Sequence, residues 1–155
     1  MRARIDAVAA LYRNLSKVHS VDTVQADAYL TTLVRDIVGS SSGMEHLVLD
    51  LDIAAEPLST RVAVPLGLIL NEVVTNSLKH AFSERSEGRM GVGLEADAGS
   101  MTVTIWDDGP GIDPSVRVAS GLGQKLTEAF SGQLGGEMHR DSGPGGTRYT
   151  LIIPR

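Results

Sequence analysis

Apolar positions along the chain switch between two periods, and each switch marks an element. From residue 4 to 18, Ile5, Val8, Leu11, Tyr12 and Leu15 fall on one stripe at helical spacing. Residues 26 to 38 repeat the pattern with Tyr29, Leu30, Leu33, Val34 and Ile37. Between them Ser20-Val21-Asp22 reads as a break, with Asp22 a candidate N-cap, and Gly39-Ser40-Ser41-Ser42-Gly43 reads as a linker. Period two takes over at Leu47, Leu49, Leu51 and Ile53, which alternate with His46, Val48, Asp50 and Asp52 as in a strand. Helical spacing returns from about 62 to 82, with Pro65 tolerated in the first turn and Leu66, Ile69, Leu70, Val73, Val74 and Ser77 on a broad inward face. After a polar loop at 83–88, Met90, Val92, Leu94 and Ala96 alternate as a second strand and residues 101–106 as a third. A loop over 107–120 leads to a helix at 122–131 carrying Leu122, Leu126 and Phe130. Residues 135–140 and 146–153 then pair as a hairpin with Asp141-Ser142-Gly143-Pro144-Gly145 at its tip. The order predicts an α/β protein, a two-layer sandwich whose mixed sheet is covered on one face by helices, with an N-terminal helical pair ahead of it.

Composition narrows the partners. With 155 residues, 42% of them hydrophobic, the chain is long enough for one domain with a real core. Aromatic content is 4%, so Leu, Val, Ile and Ala must build that core. The formal charge is −5 and no basic stripe is present, so nucleic acid is not an expected partner. There are no cysteines, hence no disulfides and no thiolate metal site, which fits an expected cytoplasmic location. The most apolar run, 62 to 74, is too short to cross a bilayer and is broken by Pro65, Asn71 and Glu72, so no membrane segment is expected.

The long helix carries a second ordered face. Glu72, Asn76, Lys79 and His80 sit at i, i+4, i+7 and i+8, placing a carboxylate, an amide oxygen and at least one cation together. The first two suit Mg²⁺ or an ordered water, and a lysine one turn on can meet a phosphate. The polar face of an ordinary amphipathic helix is the alternative. Further on, the strand ending at Trp106 breaks into Asp107-Asp108-Gly109-Pro110-Gly111, Gly121-Leu122-Gly123 opens a helix, and Gly145-Gly146-Thr147 enters the last strand.

These pieces, in this order, resemble the nucleotide-binding domain of the GHKL superfamily, which includes gyrase-type ATPases, the Hsp90 chaperone and sensor histidine kinases. Asn71-Glu72-Val73-Val74-Thr75-Asn76-Ser77-Leu78-Lys79-His80-Ala81 matches the N-box, and Asp108-Gly109-Pro110-Gly111 matches the first glycine box. Leu68-Ile69-Leu70-Asn71-Glu72 and Lys79-His80-Ala81-Phe82 look most like the HisKA_2/HWE group of kinases. The resemblance covers roughly 45 to 154 and implies the Bergerat-type ATP-binding fold.

It also implies roles. Asp108 would accept the adenine amino hydrogens, with Gly109 and Gly111 letting the backbone approach; an Asp-Gly turn after a strand is the plainer reading. Asn76 would ligate Mg²⁺, phosphates and water completing the shell. Gly121, Leu122 and Gly123 would bring backbone N–H groups and a helix N-terminus to the phosphates of ATP. Lys79 and His80 would contact phosphate, Lys125 lies near enough to do so, and Thr147 would reach the adenine region through water. Glu72 would act as a base, assist the acceptor imidazole or order the Mg²⁺ shell. Asp113 to Ser120 would be a short ATP lid. His19, His46 and His139 read as surface residues, and Trp106 as packing on the outer sheet face.

The resemblance therefore implies a catalytic ATP-binding domain of a two-component sensor histidine kinase, delivering the γ-phosphoryl group of Mg-ATP to a histidine on dimerisation helices, with a response regulator downstream. Residues 1–40 loosely resemble the end of a dimerisation region with its connector, and 41–155 the catalytic domain. No phosphoacceptor motif of the His-Arg-Val-Lys-Asn type is present, so autophosphorylation by this chain alone is not expected, and a truncated or naturally short relative is implied. A GHKL ATPase, an anti-sigma-type serine kinase and a non-catalytic nucleotide-binding module are the other readings.

Overall fold

A computed structural model describes residues 23–40, 46–80, 87–111 and 121–155. The expected helix at 4–18, Asp22, His19, most of the Ser-Gly linker and the lid at 113–120 lie outside the described residues. The elements are β1 (Thr23–Gln25), α1 (Ala26–Gly39), β2 (His46–Ile53), β3 (Pro57–Ser59), α2 (Thr60–His80), β4 (Glu87–Ala96), β5 (Ser100–Asp107), α3 (Gly121–Gln133), β6 (Glu137–Gly143) and β7 (Gly146–Pro154).

Five strands form one sheet in the order β2-β4-β5-β7-β6. β2 and β4 run parallel because β3 and α2 connect them, and every other pair is antiparallel. β1 and β3 form a separate antiparallel pair. The sheet's inward residues are those of the expected alternation: Met90, Val92 and Leu94 on β4, Met101, Val103 and Ile105 on β5, and Leu151 and Ile153 on β7 are all buried. Against them α2 sets Leu66, Ile69, Leu70, Val73 and Val74, all buried as its periodicity requires. Each such Leu or Ile contributes roughly 1.5–3 kcal/mol of burial. The result is the expected two-layer α/β sandwich.

Two expectations, on the cap of α1 and on the place of Pro65, need correction. Helix α1 places Ala26, Leu30, Leu33 and Val34 in the same core cluster as α2 and the sheet. These residues and those of the sheet share one core across the expected boundary at residue 40. Asp22 is not the cap of α1, which starts at Ala26 after an extended Gln25 that makes no side-chain cap. Pro65 lies in the second turn of α2, since the helix begins at Thr60; the lost N–H leaves the Arg61 carbonyl without its intrahelical donor, and the ring is buried in the core. Nearby, the Tyr29 hydroxyl of α1 donates to the Ala63 carbonyl of α2 at 2.9 Å, and burial pushes that phenol's pKa up.

Two ends of the sheet are closed by polar groups. At the β4–β5 turn, Asp97 Oδ1 accepts the N–H groups of Gly99 and Ser100 at 2.8 Å each, holding its carboxyl below the usual carboxylate range. Arg155 reaches back to the Asp97 carbonyl at 2.8 Å and pairs with Glu56. The opposite end, where β5 stops at Asp107 and β7 starts at Gly146, is where the glycine-rich loops gather. Among the described residues no helix is long and apolar enough to cross a membrane.

Candidate functional site

Alternation on β5 decides which carboxylate points where. The buried set Met101, Val103 and Ile105 continues to Asp107, which is 7% exposed and lies on the helix-facing side. Its Oδ1 accepts the Gly109 N–H at 3.0 Å, which turns the chain sharply after the strand and leaves Oδ2 as a further acceptor. Asp108 is committed elsewhere. Its N–H donates to the Arg89 carbonyl and its Oδ1 accepts the Arg89 N–H, both at 3.0 Å. That pair of bonds extends the β4–β5 ladder by one step, on the side of β5 away from β7. The expected adenine acceptor is therefore placed against β4, and its neighbour Asp107 occupies the buried position.

Beside Asp107 in register stands Thr147 of β7, also buried. Its hydroxyl lies 2.9 Å from that of Ser142 on β6. Two glycines bring the backbones here into direct contact. Gly146, at φ 136°, leaves room for the Asp107 carbonyl, which a Cβ would meet at 2.0 Å. Gly111, at φ 82°, lies against the Gly143 carbonyl, 2.2 Å from where its Cβ would be. Only glycine combines this backbone with this approach. Asp107, Ser142 and Thr147 line a cleft of about 400 Å³ at this end, with Trp106 and Arg148 at its outer rim. Trp106 is on the outer face as expected, its indole covering Gly91.

A second cleft of about 350 Å³ opens between α2, α3 and the β6–β7 pair. It is lined by Val73 and Asn76 from α2, by Gly123, Thr127 and Glu128 from α3, and by Met138, Arg140 and Tyr149 from the sheet. The N-box asparagine and the second glycine box are thus brought to one cavity from distant parts of the chain. Glu72 is buried at 7% exposure, one turn before Asn76. The Asn76 amide N–H donates to Glu72 Oε1 over a long 3.4 Å, which turns the Asn76 oxygen the other way. Lys79 and His80 are exposed at the end of α2 and Lys125 is exposed on α3; none of the three lines this cleft. Gly121 begins α3, Leu122 follows it, and Gly109 is buried behind Asp107.

A nucleotide and its metal ion fit these residues. The cleft offers an amide oxygen, a guanidinium and the first turn of a helix, the groups that polyphosphates and Mg²⁺ take. Among the described residues no three His, Cys, Asp or Glu side chains cluster for a protein-only metal site, so a bound ion would share its shell with phosphate and water.

Sequence reasoning passed over Asp107, Ser142 and Arg140. For Asp107 and Arg140 the parity of the strand was the available signal. Asp107 continues the inward series of β5, and Arg140 follows inward Met138 on β6.

Comparison with known proteins supplies the family and the fold. Residues 61–155 match the family of histidine kinase-, DNA gyrase B-, and HSP90-like ATPases. Blue-light-activated histidine kinase 2 of Erythrobacter litoralis is 26% identical over 158 residues, 97% of this chain and 45% of that protein. The C4-dicarboxylate transport sensor protein DctB of Rhizobium meliloti is 29% identical over 104 residues, 59% of this chain and 17% of that protein. The chain thus spans less than half the length of either relative. Among solved structures, the histidine kinase domain of the Erythrobacter litoralis EL346 blue-light activated histidine kinase superposes with a TM-score of 0.84 at 25% identity. That match covers 99% of this chain and 73% of the other. The mycobacterial sensor histidine kinase MprB shares the fold, with a TM-score of 0.68 at 22% identity over 85% of this chain and 97% of the other.

Proposed function

The chain belongs to the histidine kinase-, DNA gyrase B-, and HSP90-like ATPase family, and on that premise we propose that it serves as the ATP-binding catalytic domain of a sensor histidine kinase. The observation that carries the reading is the joining of Asn76 and Gly123 in one cleft, with a buried carboxylate, Asp107, in the second cleft at the end of β5. In this reading the domain comprises the whole core from β1 to β7. Its partners are dimerisation helices carrying the phosphoacceptor histidine and, downstream, a response regulator.

The roles follow from placement. Asp107 replaces Asp108 as acceptor for the adenine amino group, because its carboxylate is buried, oriented by Gly109 and adjacent to Thr147. A buried acceptor discriminates strongly, since a base lacking the matching donor leaves it unpaired. Asn76 presents its oxygen to Mg²⁺, which when bound neutralises phosphate charge. The N-terminal turn of α3, from Gly121 through Leu122 to Gly123, supplies backbone donors to phosphate oxygens. Glu72, held one turn from Asn76, orients that amide, and from there it can order a water of the metal shell. Lys79 and His80, exposed at the end of α2, stand ready to meet the terminal phosphate or the partner helix. Phosphoryl transfer asks mainly for positioning and charge neutralisation, and these residues supply both.

Thermal denaturation with and without Mg-ATP tests the reading. A ligand at a hundredfold excess over Kd stabilises by about 2.7 kcal/mol, so melting should move up with nucleotide concentration. Unchanged melting in millimolar ATP with Mg²⁺ would contradict nucleotide binding. The kinase assignment is tested by adding γ-labelled ATP to the chain with and without dimerisation helices carrying an acceptor histidine. Acid-labile phosphate should form only when the helices are present.

A further inference from the structure

The cleft between α2 and α3 has a cation in its lining. Arg140 of β6 stands opposite Tyr149 of β7 in register, and both line the cavity that holds Asn76 and Gly123. Two residues earlier on the same face, Met138 packs against the core. Arg140 itself is exposed, so its guanidinium keeps water on one side while it lines the cavity on the other. The ion pairs among the described residues are Arg89–Asp50, His139–Glu137 and Arg155–Glu56, and Arg140 is in none of them. The carboxylate that shares the cleft, Glu128, instead accepts from Gln124 at 3.2 Å. The group beside Arg140 in register is the half-buried Tyr149 phenol, whose pKa is raised by burial and held back by the neighbouring guanidinium.

We propose that Arg140 binds phosphate oxygens of the nucleotide in this cleft, positioned by Tyr149 and acting together with the N-terminal turn of α3. This rests on the nucleotide reading above and adds to it a ligand from the sheet side. A planar guanidinium matches two oxygens of one phosphate or of adjacent phosphates, and its fixed charge offsets part of the polyphosphate charge that a single Mg²⁺ leaves. The register explains why it can act there. β6 is the edge strand of the sheet, so a long side chain at its inward position has open space under α3 where a central strand would offer only core. Lys79 and Lys125, the cations that spacing suggests, lie outside the cavity lining, whereas Arg140, exposed like them, is part of it.

The test titrates the 155-residue chain and its Arg140→Gln and Arg140→Lys variants with ATP, ADP and adenosine, in Mg²⁺ and at two salt concentrations. Adenosine is read by competition, and thermal melts confirm that each variant is folded. Loss of a charge-assisted bond predicts that Arg140→Gln weakens ATP and ADP by roughly tenfold or more and leaves adenosine unchanged. Arg140→Lys should recover part of that loss, and the salt dependence of ATP binding should flatten in Arg140→Gln. Tyr149→Phe should produce a smaller loss with the same selectivity for phosphate-bearing ligands. Equal losses for ATP and adenosine would show a packing role and overturn the proposal, as would ATP affinity unchanged by Arg140→Gln. If the parent chain bound neither adenosine nor ATP, the nucleotide reading itself would fall. Parent binding with an indifferent Arg140 would remove only this inference.

Discussion

At the β5–β7 end of the site, the buried side chains are tied down: Asp107 Oδ1 with the Gly109 N–H, Thr147 with Ser142, and two glycines pressed against opposing carbonyls. At the α2–α3 end, Asn76 makes one long bond, Arg140 rests beside a phenol, and Lys79 and His80 end their helix in solvent. The contrast matches two different tasks. A nucleobase is flat, neutral and always the same shape, so a stiff acceptor beside glycine backbone can be built in advance. A polyphosphate brings charge, a metal ion and changing geometry as a phosphoryl group leaves. Long cationic side chains and an edge strand can follow it where a packed core cannot.

Breaking the stiff end should have the largest effect. Gly146→Ala would put a Cβ against the Asp107 carbonyl at a backbone angle that alanine rarely adopts. A loss of about 3 kcal/mol in unfolding free energy is expected from the combined clash and strain, measured by urea denaturation. Nucleotide affinity should fall with it. Gly91→Ala is the informative contrast. The atoms nearest its Cβ would be those of the Trp106 indole, a side chain that can swing outward. The single tryptophan should report this as a shift in fluorescence emission with a smaller loss of stability.

The open end should respond in binding and hardly in folding. Asn76→Ala removes a half-buried amide with one long hydrogen bond, so stability should change by less than about 1 kcal/mol. Mg²⁺ should then no longer strengthen ATP binding, an effect of roughly tenfold or more in calorimetric Kd with and without the ion. Retained Mg²⁺ enhancement in this variant would move the metal site away from α2.

The smallest effect belongs to the sheet end remote from both clefts. Asp97→Ala removes the acceptor that closes the β4–β5 turn. Its folded carboxyl is held low by two backbone N–H groups, so its contribution is complete above the ordinary carboxylate pKa and is lost as pH falls through the lowered value. The melting temperatures of parent and variant should differ at neutral pH and converge in acid, while nucleotide affinity stays the same.

Period-two and helical patterning carried most of this architecture, because Leu, Val and Ile alternate cleanly on β2, β4 and β5 and every third or fourth position of α2 is buried. β1 and β3 escaped notice for a physical reason. Each has three residues, too few for a period, and each ends in residues exposed to water. That α1 shares the core of the sheet through Leu30 and Val34 was not legible, because an amphipathic stripe does not say which surface it covers. In the site, Asn76 and Gly123 were legible from motif spacing. Two adjacent aspartates before one glycine were not separable by motif alone, although the parity that sent Trp106 outward also sent Asp107 inward. Arg140 was hidden because its significance depends on the pairing of β6 with β7 and on the open space beneath α3, neither of which is local in sequence.

The central claim is that recognition of the base belongs to Asp107 and not to its neighbour. Calorimetric titration of Mg-ATP into Asp107→Asn and Asp108→Asn tests it most directly. The account predicts that Asp107→Asn weakens binding by roughly ten- to a hundredfold, the cost of a lost charge-assisted hydrogen bond in a buried position. Asp108→Asn, whose side chain still offers an oxygen to the Arg89 N–H, should bind ATP like the parent chain. The reverse result, with Asp108→Asn crippled and Asp107→Asn intact, would contradict it.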